Sequence, residues 1–428
     1  MSNVKINFDK VCKKMRIMHA VNNGPASQKA KEFEKYCELN IPFVRNHDAS
    51  LSEPYGPQHV VDVHCIFPDF SKDENDATNY DFTLTDVYNE TLTAAGAKVF
   101  YRLGSSIEHW QKKYGTLMPT DFEKWARICE RIIKHYNEGW ANGFTLGIEY
   151  WEIWNEPDLN RDESTNKLCW GGTKKQFFEF YSVVAKYLKN RFPSLKIGGP
   201  ASCGNIEWVD EFLEQLDAPL DFFSFHRYAY EPQFMVEYAT TIKNMLIKHG
   251  YSNAETILNE WNYVRDWGNR AEYVTAIHGM KSAAYVASTM CALQNCGLVD
   301  MLMYYDARLY TPWNGLFDFY SGEPLKTYYS IKMFSKLYAL KNQTECESDD
   351  RDIFVTSASD GKNCSAIISY YALDPSNDKT VTINTGLSEP MICYLLDEEC
   401  DMQEIGVIND GDEVVMKQNS VLFLTLRT

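Results

Sequence analysis

Short apolar runs alternate with amphipathic stretches along most of the chain. The amphipathic stretches repeat their hydrophobic positions with the 3.6-residue period of a helix, so the pattern predicts β-strands alternating with α-helices. The predicted strands cover residues 15–21, 42–47, 98–103, 149–155, 195–199, 221–226, 256–260 and 300–305. The predicted helices cover residues 27–39, 84–95, 120–141, 173–192, 206–216, 231–249, 271–296 and 325–340. Eight successive βα units predict an α/β fold in which a parallel sheet closes into a (β/α)8 barrel.

The pattern changes after Leu340. Six short alternating runs, separated by turn sequences such as Asp-Gly, predict an all-β module. These runs cover residues 352–357, 365–372, 380–385, 391–396, 413–416 and 421–426. We therefore expect a barrel over residues 15–340 and a small β-sandwich accessory domain over residues 341–428.

Two predicted strands end in an acidic residue. The fourth ends in Trp-Asn-Glu-Pro at residues 154–157, and because proline cannot continue a central strand, Glu156 is expected at the strand's carboxyl end. Apolar neighbours raise the pKa of such a carboxyl and prepare it to donate a proton, although the motif could also only cap the following helix. The seventh strand ends in Asn-Glu-Trp-Asn at residues 259–262 and supplies Glu260. Two acids at strand ends suit glycoside hydrolysis, in which one protonates the leaving oxygen and the other attacks or activates water.

These motifs resemble the catalytic strands of clan A glycoside hydrolases. Together with Phe-His-Arg-Tyr at residues 225–228, they are most similar to glycoside hydrolase family 39, which includes β-xylosidases and α-L-iduronidases. The resemblance implies a retaining, exo-acting, β-xylosidase-like hydrolase of equatorial glycosides, with Glu156 as acid/base and Glu260 as nucleophile. In that family a small β-sandwich takes a strand from the N-terminus, so residues 1–14 are expected to supply it.

The resemblance also implies a set of substrate-binding residues at the strand ends. In the family, the counterpart of Asn155 contacts the sugar 2-hydroxyl, that of Tyr228 donates to the nucleophile, and that of His47 binds the glycone. Each could instead be a turn former or a buried core residue. The candidate substrate-binding residues are Asn155, His47, His226, Tyr228, Trp261, Trp313, Tyr305 and Asn22.

The eighth strand departs from the family pattern. Many clan A enzymes have a tryptophan there as a platform for the glycone, whereas this chain reads Met-Tyr-Tyr-Asp at residues 303–306. Trp261 and Trp313 could supply a stacking face, because aromatic rings bury the apolar faces of sugars well, but each could equally belong to the core. The glycone therefore stays open. Alternative substrates are an α-L-arabinoside or arabinobioside, a β-galactoside or glucoside, and an α-L-uronide whose carboxylate would meet loop arginines. An alternative function is that of a catalytically silent carbohydrate-binding barrel.

Composition narrows the possible partners. A net charge of −17 argues against nucleic acid and anionic membranes, and the chain has no run of eighteen apolar residues. The twelve scattered cysteines lack metal-binding spacing, so we expect them to be buried thiols. The first residues lack the pattern of a secretory signal, and we therefore expect a cytoplasmic protein. We expect an oligosaccharide or glycoside as the substrate, with no cofactor and no metal, and homo-oligomerisation stays open.

Overall fold

The computed structural model of the protein describes residues 2–48 and 59–426. After an N-terminal strand, β1 (Ser2–Lys14), eight parallel strands form a closed barrel in chain order. They are β2 (Ile17–Asn22), β3 (Phe43–Arg45), β4 (Lys98–Leu103), β5 (Tyr150–Ile153), β6 (Lys196–Ser202), β7 (Phe222–His226), β8 (Glu255–Trp261) and β9 (Met301–Tyr304). β9 pairs with β2, with Tyr304 opposite Val21, and this pairing closes the ring. The predicted (β/α)8 barrel is confirmed.

Helices surround the barrel. They are α1 (Phe33–Cys37), α2 (Val63–Ile66), α3 (Thr83–Ala94), α4 (Phe122–Glu138), α5 (Lys174–Arg191), α6 (Ile206–Gln215), α7 (Pro232–Lys248), α8 (Arg270–Ile277), α9 (Met280–Cys296) and α10 (Lys326–Ala339). Their apolar faces bury a large core against the outward side chains of the strands. Inside the barrel, Phe43, Phe100, Tyr150 and Phe222 fill the amino-terminal half. The carboxyl ends of the strands are therefore the open end of the barrel.

Two predicted helices differ from those observed. The predicted helix over residues 27–39 contains only the five residues of α1. The predicted helix over residues 271–296 is divided into α8 and α9, because Gly279 takes an extended conformation with φ −120° and ψ −175°. The helical period continues across this break, so periodicity alone could not locate it.

The remaining strands form a second, nine-stranded sheet. They are β10 (Asn342–Ser348), β11 (Ile353–Ser359), β12 (Cys364–Tyr370), β13 (Lys379–Asn384), β14 (Met391–Leu396), β15 (Asp401–Ile408), β16 (Asp412–Met416) and β17 (Ser420–Leu426). The order is β15-β14-β17-β12-β11-β10-β1-β13-β16, so β1 lies between β10 and β13. Residues from both ends of this order, such as Ile6, Ile383, Ile368 and Leu424, share one buried cluster. The sheet therefore folds around its own core as an all-β domain.

The all-β domain packs on the outside of the barrel. Ser288 of α9 donates a hydrogen bond to Ser369 of β12 over 2.9 Å, and the Asn295 side chain donates to the Val355 carbonyl of β11 over 2.8 Å. All twelve cysteines are free thiols. Across residues 2–48 and 59–426, no helix combines the length and the apolarity needed to cross a bilayer.

Candidate active site

Glu156 and Glu260 lie together at the open end of the barrel. Glu260 is the penultimate residue of β8, and Glu156 follows β5, where a left-handed backbone (φ +46°) turns it back toward the barrel. Its amide donates to the Ala201 carbonyl over 2.9 Å, which fixes this turn. The two residues are only 7% and 5% exposed. One carboxyl oxygen of each, together with one ring nitrogen of His226, lies within 4.8 Å of the others.

Glu260 is held by donors on both of its oxygens. Arg45 donates to Oε1 over 2.7 Å, and Tyr228 donates to Oε2 over 3.1 Å. Burial nevertheless raises the pKa of Glu260 to about 7, while His226 and Arg45 act in the opposite direction. The loss of water around the carboxylate therefore outweighs its donors.

Arg45, at the end of β3, connects the residues of the site. Its guanidinium is fully buried, and its four hydrogen-bond partners are Glu152 (2.7 Å), Glu260 (2.7 Å), Asn155 (2.7 Å) and Asn22 (3.1 Å). Glu152 also accepts from Ser224 over 2.6 Å and from Asn259 over 2.5 Å. The sequence reasoning missed Arg45, although an arginine inside an apolar strand signals a buried acidic partner.

Glu156 has a sparser environment than Glu260. Its Oε1 lies 2.7 Å from Nδ1 of His226, which is also 3.5 Å from Oε2 of Glu260. Burial, reinforced by the charge of Asp158, raises the pKa of Glu156 to about 8. The indole of Trp154 packs against Trp170 and other rings of the helix layer. The pKa of Glu156 thus lies above that of Glu260, the expected order.

The hydrogen bonds of His47 identify its tautomer. Arg102 donates to Nδ1 over 3.1 Å, so Nδ1 must be the acceptor and Nε2 carries the proton. Burial lowers the pKa of His47, so the ring is neutral. Its Nε2 lies 3.4 Å from Oε1 of Glu260 and 3.3 Å from Oδ1 of Asp48. His47 therefore presents one N–H between two carboxylates.

Two buried polar atoms of predicted site residues are free to meet a ligand. Nδ2 of Asn155 and Nε2 of His226 have no hydrogen-bond partner within the described parts of the chain. Asn22, in contrast, uses its side chain internally: its Nδ2 donates to the Asn259 carbonyl over 2.6 Å, and its Oδ1 accepts from Arg45. Asn155 and His226 are thus placed to contact a substrate, whereas Asn22 supports Arg45.

Aromatic rings form one wall beside Glu260. The Tyr228 ring lies 5.3 Å from that of Trp313 and 5.2 Å from that of Trp267, and Tyr305 lies 6.1 Å from Trp313. Trp261 is not in this wall. It is fully buried, and its ring packs against Tyr285 and Tyr304 between the barrel and the helices.

The loop arginines are engaged elsewhere. The Arg227 guanidinium lies 4.9 Å from the centre of the Tyr238 ring, and Arg265 pairs with Asp374 of the all-β domain over 3.5 Å. Arg308 is held by Asp306 over 2.7 Å and lies 3.7 Å from Asp48. Of these three loop arginines, Arg308 is the one beside the site, and it is already paired with Asp306.

A metal ion has one conceivable place among the described residues, between Glu156, His226 and Glu260. The same site already holds the positive charge of Arg45, 2.7 Å from Glu260. Because a fixed cation so close repels a second one, these residues fit an acid pair better than a metal centre.

A barrel with two buried carboxyl groups at its strand ends is the arrangement on which glycoside hydrolysis depends. The chain belongs to glycosyl hydrolases family 39, whose profile matches residues 11–296. It is 25% identical over 285 residues to the beta-xylosidase of Geobacillus stearothermophilus, a match that covers 56% of this chain and 52% of the relative. The chain thus aligns with about half the length of that relative.

Solved structures share the whole architecture. A glucosidase from Croceicoccus marinus superimposes with a TM-score of 0.79 at 19% identity, covering 100% of this chain and 99% of the other. A monomeric beta-xylosidase from Caulobacter crescentus CB15 has a TM-score of 0.70 at 17% identity, with 99% of each chain covered. At these identities the likeness establishes the fold alone.

Proposed function

We propose that the protein is a retaining, exo-acting glycoside hydrolase that cleaves β-D-xylosides by double displacement. The observation that carries the proposal is the separation of the acids, whose oxygens lie within 4.8 Å. Retaining enzymes hold their carboxyl groups about 5–5.5 Å apart, whereas inverting enzymes need about 6.5–9.5 Å for an intervening water. The pair therefore suits direct attack on the anomeric carbon.

The surroundings of the two acids support distinct roles. Arg45 and Tyr228 donate to Glu260 and stabilise the carboxylate that a nucleophile requires. Glu156, with a pKa raised to about 8, holds a proton at neutral pH. Glu260 is accordingly the nucleophile and Glu156 the acid/base.

The reaction then proceeds in two steps. Glu156 donates its proton to the glycosidic oxygen as the bond from that oxygen to the anomeric carbon breaks, and a carboxyl oxygen of Glu260 bonds to that carbon from the opposite face. The resulting ester removes the charge of Glu260, so the pKa of Glu156 falls and it can act as a base. It takes a proton from water, which attacks the anomeric carbon and releases Glu260.

The names of two relatives, both beta-xylosidases, favour a xyloside as the substrate. The same acids could act on another glycone, and the Croceicoccus glucosidase keeps a glucoside among the candidates.

Free thiols at all twelve cysteines support the proposal of a reducing, cytoplasmic location. A panel of nitrophenyl glycosides will rank the glycones, and we expect the β-D-xyloside to be cleaved fastest.

Azide rescue tests the roles of the two acids. Glu156→Ala keeps the nucleophile, so azide should react with the glycosyl-enzyme and give a glycosyl azide of the same anomeric configuration as the substrate. Glu260→Ala has no nucleophile, so azide must enter from the opposite face and give the inverted product. The reverse configurations, or no response of either variant with a dinitrophenyl substrate, would contradict the assignment.

A further inference from the structure

The proposed mechanism leaves one carboxylate of the site without a role. Asp48 follows β3, and its Oδ1 lies 3.3 Å from Nε2 of His47, the nitrogen that is 3.4 Å from Oε1 of Glu260. Glu156 and His226 lie on the other side, beside Oε2 of Glu260. The site thus contains three carboxyl groups in a row, with Glu260 in the middle.

The contacts of Asp48 keep it ionised. Tyr305 donates to Oδ2 over 2.6 Å, and Arg308 lies 3.7 Å from the same oxygen while it donates to the Asp48 carbonyl over 2.8 Å. Nδ1 of His59 is 3.7 Å from Oδ1. Burial opposes ionisation, but the N–H of His47, the charge of Arg308 and the hydroxyl of Tyr305 hold the pKa of Asp48 below its usual range.

The Asp48 side chain is also not completely buried. Its side chain is 13% exposed, against 7% for Glu260 and 9% for Glu156. A carboxylate that served only to hold Tyr305 and Arg308 would not need to be more open than the two acids that meet the substrate. An ionised carboxylate can only accept hydrogen bonds, and sugar hydroxyls are the donors that a glycoside offers.

We propose that Asp48 binds the hydroxyl groups of a neutral glycone at the carbons remote from the scissile bond, and that it disfavours uronides. The inference rests on the proposed function, because it takes Glu260 as the group that attacks the anomeric carbon. With that carbon beside Glu260, the ring carbons remote from it can reach past His47, whose Nε2 lies between Glu260 and Asp48. A uronate would add a carboxylate near two ionised acids, and like charges at such distances repel strongly in a buried site.

The contribution of Asp48 can be separated from a structural role by removing its partner from the substrate. We would measure kcat/KM of the wild-type enzyme and of Asp48→Asn on the aryl glycoside that the wild type cleaves best and on its 2-, 3- and 4-deoxy forms. When a site is built to bind a hydroxyl, removing that hydroxyl from the substrate lowers kcat/KM by several orders of magnitude. For the wild type we expect a loss of about 100-fold or more on the 3- or 4-deoxy substrate.

Asp48→Asn should lose a similar factor on the parent and the 2-deoxy glycoside. On the 3- or 4-deoxy glycoside it should lose less than about tenfold, because the hydroxyl that Asp48 would bind is already missing from that substrate. The variant should also cleave the matching aryl uronide better relative to the neutral glycoside than the wild type does. Equal losses on all four substrates, or an unchanged ratio for the uronide, would overturn the proposal.

The remaining outcomes separate a failure of the Asp48 proposal from a failure of the proposed function. If Asp48→Asn does not fold, the wild-type series still decides the matter, since losses below tenfold on both the 3- and 4-deoxy substrates would overturn the proposal. If the wild type cleaves no glycoside of the panel, the proposed function fails and this inference fails with it. Turnover by the wild type together with equal losses for Asp48→Asn would remove only the role of Asp48.

Discussion

The two sides of the acid pair are built differently. Glu260 has an ion pair with Arg45, a phenol donor and a neutral histidine around it, whereas Glu156 has His226 as its close side-chain partner. Both acids are buried, and burial raises both pKa values, to about 7 and about 8. Burial therefore explains why both carboxyls are perturbed, and the partners explain which one ionises first.

The two sides also differ in what holds them in place. Glu260 is fixed by a network of buried side chains that meets at Arg45, so the loss of one member leaves its partners buried and unpaired. Glu156 is fixed by its backbone, through the turn whose amide donates to Ala201. Substitutions should accordingly damage the Glu260 side through the network and the Glu156 side through chemistry alone.

The largest expected effect separates the two acids. Glu260→Gln should lower kcat/KM by about 10⁵-fold or more on every substrate, as removal of a nucleophile does elsewhere. Glu156→Gln should lose far less on a dinitrophenyl glycoside, whose leaving group needs no proton, than on an alkyl glycoside. Steady-state and burst kinetics on both substrates measure this. Equal losses for the two variants on the dinitrophenyl substrate would mean that the two sides are not functionally distinct.

The second effect tests the network. Arg45→Met leaves Glu152 and Glu260 as buried acids without their cation, and the loss of one partner of a buried pair costs about 3–5 kcal/mol. Denaturant unfolding should record this loss, and the acidic limb of the pH–rate profile should move to higher pH because Glu260 becomes harder to ionise. Arg45→Lys is the matched control, since it keeps the charge but not the fork of donors. A destabilised variant with an unmoved acidic limb would reduce Arg45 to a structural role.

The same contrast explains what the sequence could predict. Glu156 and Glu260 were identifiable because each ends an apolar run, and strand ends in a barrel converge. The partners of Arg45 and Asp48 were not, since they include side chains that are distant in sequence, such as Glu152 and Tyr305. Trp261 shows the opposite error: it adjoins Glu260 in sequence, yet it faces the helices, because neighbouring residues of a strand point to opposite sides.

The accessory domain shows a similar limit. The pattern predicts β11 to β14, β16 and β17, where alternation is clear, but it misses β10 and β15. Most residues of β15 are exposed, so this edge strand carries no hydrophobic alternation from which it could be read. Pairing with β14 forms it, and that information is not local.

The third effect is the pH dependence of activity. Glu260 must be ionised and Glu156 protonated, so kcat/KM should fall below about pH 7 and above about pH 8, following the two raised pKa values. Tyr228→Phe removes one donor to Glu260 and should move only the acidic limb to higher pH, with a loss of about tenfold at neutral pH. Profiles on an activated and an unactivated substrate test this. A basic limb that moves together with the acidic one would show that Tyr228 acts on both acids alike.

The smallest expected effect is on stability, and it differs in size between the two acids. The pKa of Glu156 rises from an ordinary 4.5 to about 8 on folding, so the folded protein binds this proton more tightly than the unfolded chain does. The resulting stabilisation is fully present below about pH 4.5 and is lost as the pH rises through 8.

At pH 9 the wild type must hold a buried charge at Glu156, and Glu156→Gln removes it. The melting temperature of this variant should therefore exceed that of the wild type by a few degrees, about 2–4 °C, at pH 9 and match it near pH 5. Glu260→Gln should gain less at pH 9, because the pKa of Glu260 rises only to about 7 and the substitution takes from Arg45 one of its two acidic partners. Thermal unfolding of the three proteins across this pH range is the measurement. A gain for Glu260→Gln as large as that for Glu156→Gln would show that burial alone sets the cost of both charges and that their partners make no difference.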